Sequence, residues 1–164
     1  MDDQTFHQEL NRGARLLSQG KAQQAQAVLE RLCESRRGDV AVAINLGSAY
    51  ILSGQFKRAV PLLEEVVAHE PEDAMAWTNL GAAYLGNPVL ATTEEQDKAI
   101  AAFERALECD PLAPHVAYNL GLIYRDRNDR DHAIHWFTRA LQANPRDADA
   151  QRILERLQQT GPTQ

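Results

Sequence analysis

His132 and His135 stand three residues apart, a spacing at which two imidazoles on one helix face can share a metal ion. Only Asp131 offers a further ligand beside them, so the pair reads as a surface feature and no metal is expected. His69 and His115 are isolated. Cys33 and Cys109 read as reduced thiols of a cytoplasmic protein rather than a disulfide framework or a metal site. No glycine-rich phosphate loop, nucleophile elbow or paired-carboxylate motif occurs, so neither an enzyme nor a cofactor is expected. The chemistry that does recur is the amide. Asn11, Asn45, Asn79 and Asn119 follow one another at intervals of 34, 34 and 40 residues. Each amide both donates and accepts, so such a row can bond the backbone of an extended peptide, or tie neighbouring helices to one another.

Other residues share that period. Gly13, Gly47, Gly81 and Gly121 each lie two positions after one of the asparagines, and Ala25, Ala59, Ala99 and Ala133 follow at 34, 40 and 34. Pro71, Pro111 and Pro145 close the last three units. A period near 34 points to stacked helical repeats. Glycine in mid-helix costs roughly 1 kcal/mol against alanine, so its recurrence implies a compensating close approach of a second helix. In the third unit, Trp77, Leu80, Gly81, Tyr84, Ala99, Phe103, Ala106 and Pro111 together resemble the tetratricopeptide (TPR) helix-turn-helix repeat. The fourth unit matches with Leu120, Gly121, Tyr124, Ala133, Phe137, Ala140 and Pro145, and the second with Leu46, Gly47, Tyr50, Gly54, Ala59, Leu63 and Pro71. The first departs from the pattern: Arg12, Leu16 and Arg37 replace the leucine, tyrosine and proline.

The resemblance implies an all-α fold, an α-solenoid wound as a right-handed superhelix, with four TPR helix-turn-helix units and a C-terminal capping helix. Residues 1–164 then form one TPR domain, with repeats at about 6–39, 40–73, 74–113 and 114–147 and the cap at about 148–158. The third unit carries six extra residues. Gly86-Asn87-Pro88 ends its first helix, Thr92-Thr93-Glu94-Glu95 reads as a capping box, and a loop over 86–91 takes up the excess. Val89 and Leu90 in that loop are expected to fold back onto their own helices, with a ligand-contacting flap as the alternative. Asp39, Asp73 and Asp147 are placed to cap helices, and Pro114 suits a first helical turn. Residues 160–164 read as a frayed tail.

With 44% hydrophobic residues over 164, the chain can bury a sizeable core. A net charge of −6 opposes nucleic acid, and no apolar run suggests a leader or a membrane span. Partners are therefore sought among proteins and peptides, the chain itself being a monomer or weak homodimer.

The first helix of each TPR pair lines the concave face, and the resemblance places a peptide-binding stripe there. Leu10, Asn11 and Ala14 come from the first unit, and Ile44, Asn45, Ser48 and Ile51 from the second. The third adds Met75, Thr78, Asn79 and Ala82, and the fourth Tyr118, Asn119, Leu122 and Arg125. The carboxylate clamp of chaperone-binding TPR domains is missing, since Leu10 and Ala14, or Ile44 and Ser48, occupy its positions. The favoured reading is an adaptor that holds an extended or helical peptide segment through the asparagine row and apolar pockets. A self-associating scaffold, or a small TPR chaperone, is the alternative.

Overall fold

The computed structural model describes residues 1–159; the predicted frayed tail at 160–164 lies outside the described residues. Among the described residues nine helices follow one another: α1 Asp3–Ser18, α2 Ala22–Ser35, α3 Val40–Leu52, α4 Phe56–His69, α5 Ala74–Leu85, α6 Thr93–Cys109, α7 Val116–Asp126, α8 Arg130–Ala143 and α9 Ala148–Gln159. They pair as α1/α2, α3/α4, α5/α6 and α7/α8, each pair packs on the next, and α9 covers α8. This is an α-solenoid of four helix pairs and a capping helix, as the period implies.

Local chemistry sets the boundaries. The Asp39, Asp73 and Asp147 carboxylates accept from the backbone N–H groups of Val42, Ala76 and Ala150. Thr92 and Glu95 form the reciprocal capping box that starts α6. The turn within three of the pairs is the same. Gly20, Gly54 and Asn128 take φ of 71°, 70° and 59°, and each is followed by a residue whose N–H reaches back to a carbonyl of the preceding helix. The expectation for Pro114 needs correction: α7 begins at Val116, and His115 before it sits in the left-handed region at φ 66° without a side-chain cap.

The glycines do what their cost implies. A Cβ at Gly81 would lie 2.6 Å from the Phe103 ring, and Gly13, Gly47 and Gly121 face Leu29, Leu63 and Phe137 in the same way. These large residues stand one turn after the recurring alanines, which are fully buried. The core therefore runs along the interior of the stack as successive apolar clusters rather than one central mass.

Successive units are also stapled by polar contacts. The Tyr50 hydroxyl donates to Glu30 at 3.0 Å and the Tyr84 hydroxyl to Glu64 at 2.6 Å. Tyr124 stacks instead within its own pair, on His132 of α8 at 5.0 Å, and the third joint is bridged by Arg127, which reaches across to Gln96 and Asp97 of α6. There α6 and α7 pack less closely than α2 with α3 or α4 with α5.

The extra loop also differs from expectation. Val89 and Leu90 are 87% and 75% exposed, so they do not fold back onto their helices. Leu90 N–H bonds to Asn87 O and Val89 N–H to the Asn87 side chain, a tight local turn that holds both apolar side chains outward.

Candidate functional site

The first helices α1, α3 and α5 stand side by side, while contact between α5 and α7 is slight. On α1, Asn11 and Ala14 are exposed and Leu10 is half-buried against the core. Asn11 and Ala14 line a shallow opening of about 560 Å³ with Gln8, Arg15 and Ser18. On α3, Ile44 is only 6% exposed and packs into the apolar core with Val42 and Leu46. Asn45 donates to the Ala41 carbonyl at 2.8 Å, Ser48 donates to the Ile44 carbonyl at 3.1 Å, and Ile51 is half-buried.

On α5, Met75 is 61% exposed. Thr78 donates to the Ala74 carbonyl, and Ala82 is half-buried. Asn79 reaches across to α3, where its amide donates to Ser48 Oγ at 2.8 Å and to the Ile44 carbonyl at 3.4 Å. On α7, Tyr118 and Leu122 pack into the same apolar cluster as Ile153, Leu154 and Leu157 of α9. The Tyr118 ring meets Phe137 edge-on at 5.6 Å, and burial pushes its hydroxyl pKa up. Asn119 is half-buried, and Arg125 pairs with Asp126 at 2.7 Å.

The remaining polar candidates are ordinary surface chemistry. The His132 ring is bonded to Asp129 at 2.8 Å, and His135 stands edge-on to Trp136. Among the described residues no group of acidic, histidine and cysteine side chains is arranged to hold a metal ion. No helix among them is long and apolar enough to cross a membrane.

A second concavity, missed by the sequence reasoning, opens between α2 and α4 over the opposite side of α3, with a volume of about 690 Å³. Ala43, Leu46 and Tyr50 form its floor, and these fall on the side of α3 away from Asn45 and Ser48 at 3.6 residues per turn. The signal was present in the sequence. Ala43 occupies the register position of Trp77 in the next unit, so the floor of this joint lacks an indole.

Two family models described as tetratricopeptide repeat match residues 16–84 and 93–148. None of the curated proteins matches. Among solved structures, the chain is similar to MamA (41-end) from Desulfovibrio magneticus RS-1, at 27% identity over 87% of this chain and 77% of that one, TM-score 0.68. MamA of AMB-1 is similar at 27% identity over 96% and 83%, TM-score 0.68. A thermophilic TPR protein of Thermus thermophilus covers 94% of this chain and 99% of its own at 17% identity and TM-score 0.68, a likeness of fold alone. Repeats and inter-unit contacts agree with these matches: the chain belongs to the tetratricopeptide repeat family and has the fold of a protein-interaction scaffold.

Proposed function

We propose that the chain joins protein chains by surface docking, a second copy of itself among them, with the exposed row of α1, α3 and α5 as its recognition face. The observation that carries this reading is the engagement of the amides. Asn45 is bonded within its own helix and Asn79 across to Ser48, so the middle of the row has no free ladder for an extended backbone. Met75 remains outward and apolar beside them, which suits contact with another folded surface. Sedimentation velocity over a concentration series tests it. The sedimentation coefficient should rise with concentration, and Met75→Asp should shift the rise to higher concentration. A monomer throughout, unaffected by Met75→Asp, would remove self-association.

One observation keeps the extended-peptide reading alive. The Asn11 and Asn119 side chains make no hydrogen bond among the described residues, so two amides at opposite ends of the stack can still serve a ligand. Titration with a peptide library decides: loss of affinity in Asn11→Ala and Asn119→Ala, with stability unchanged, selects peptide binding over surface docking.

A further inference from the structure

Each joint between units brings together three equivalent positions. At the second joint they are Val67, Trp77 and Ala102, and at the third Leu107, Ala117 and Trp136. Both joints thus hold one tryptophan, half-buried among the apolar clusters on either side. Each of these rings has a guanidinium over it, Arg105 at 5.7 Å from Trp77 and Arg139 at 5.1 Å from Trp136. The first joint has Cys33, Ala43 and Leu62 in those places, and Glu65 stands where the arginines do. The concavity of about 690 Å³ found there therefore has no indole on its floor, and its size lies within the range of ligand sites.

The rim is acidic. Among the described residues, Glu34, Glu65 and Glu70 have no ion-pair or hydrogen-bond partner for their carboxylates, and Arg37 is the one rim cation in the same state. Glu30 is already engaged by Arg58 and Tyr50. An occupant therefore meets an apolar floor and uncompensated negative charge.

We propose that this groove binds a partner segment that presents one large aromatic side chain next to lysine or arginine, supplying from outside the indole that the other joints carry internally and a cation for the unpaired rim carboxylates. The aromatic ring covers Ala43 and Leu46, and the cation faces Glu65. The site lies on the side of α3 opposite the first-helix row, so its failure leaves the docking reading of that row untouched.

The test uses the Cys109→Ser chain, in which Cys33 at the groove wall is the remaining thiol. Its modification by a chromogenic disulfide is followed with three ten-residue probes, acetylated and amidated: one tryptophan flanked by arginine and lysine, the same with alanine for tryptophan, and the same with glutamate for the basic residues. The first should protect Cys33 and the other two should not. Ala43→Trp restores the repeat's own residue, should remain folded by urea denaturation, and should abolish protection. Glu65→Arg, at an exposed position that leaves the fold intact, should weaken protection by about tenfold, as expected of a lost charge complement. Absence of protection, equal protection by the acidic probe, or protection that survives both substitutions overturns the proposal. So does protection that grows with protein concentration without any peptide, which would assign the groove to a second copy.

Discussion

Asn79 separates a structural amide from a ligand-binding one, and its replacement by alanine measures the difference. The side chain donates to Ser48 Oγ at 2.8 Å, joining α5 to α3. Its second contact, to the Ile44 carbonyl, is long at 3.4 Å, and that carbonyl already accepts from Ser48. Truncation thus removes one good hydrogen bond at a half-buried place and leaves Ser48 its own acceptor. A net loss of about 1 kcal/mol follows, and for a chain of this size that is roughly 2–4 °C in Tm. Asn45→Ala is the control. Its amide bonds only the carbonyl one turn back, and alanine is the better helix former, so stability should stay within about 0.5 kcal/mol or rise. Urea unfolding of Asn79→Ala, Ser48→Ala and the double variant completes a cycle, with an expected coupling of about 0.5–1.5 kcal/mol. If Asn79→Ala matches Asn45→Ala and the coupling vanishes, the amide does not hold the helices together and the ladder reading regains its strongest member.

The glycine contacts predict a graded series. Gly81→Ala brings a Cβ to 2.6 Å from the fully buried Phe103 ring, so overpacking of about 1–3 kcal/mol outweighs the roughly 1 kcal/mol gain in helix propensity. Gly121→Ala, with its nearest atoms at 3.0 Å, should be close to neutral, and Phe103→Leu should rescue Gly81→Ala in urea melts. Burial and the hydrogen bonds to Glu30 and Glu64 push the Tyr50 and Tyr84 hydroxyls up to about 12 from the ordinary 10.0. The folded state therefore keeps these protons longer than the unfolded chain; the stabilisation is full below pH 10 and is lost as pH rises through about 12. Absorbance titration should show late tyrosinate formation, and Tyr84→Phe should remove its share of the alkaline sensitivity. His115→Gly should be neutral or stabilising by up to about 1 kcal/mol in thermal melts, because glycine accepts positive φ without the strain of a side chain. Val89→Asp and Leu90→Asp should leave stability within about 0.5 kcal/mol, since both side chains are exposed, and a larger loss would place them in the core.

Much of this architecture is written in local residues. The 34-residue period, the Thr92–Glu95 box and the turn residues Gly20, Gly54 and Asn128 act within a few positions of themselves, so spacing alone locates the helices and their pairing. Sequence also carries the substitution of Ala43 for the tryptophan of the next unit, although its meaning depends on what stands opposite. Partner choice among side chains was decided only in three dimensions. Asn79 bonds Ser48 from 31 residues away, Ile44 turns inward, and Tyr118 and Leu122 join the cluster that includes α9. The same amide or leucine can face a ligand or a neighbouring helix, and the angle at which one unit lies on the next selects between them. That angle comes from the packing of whole helices, so no short stretch of sequence contains it.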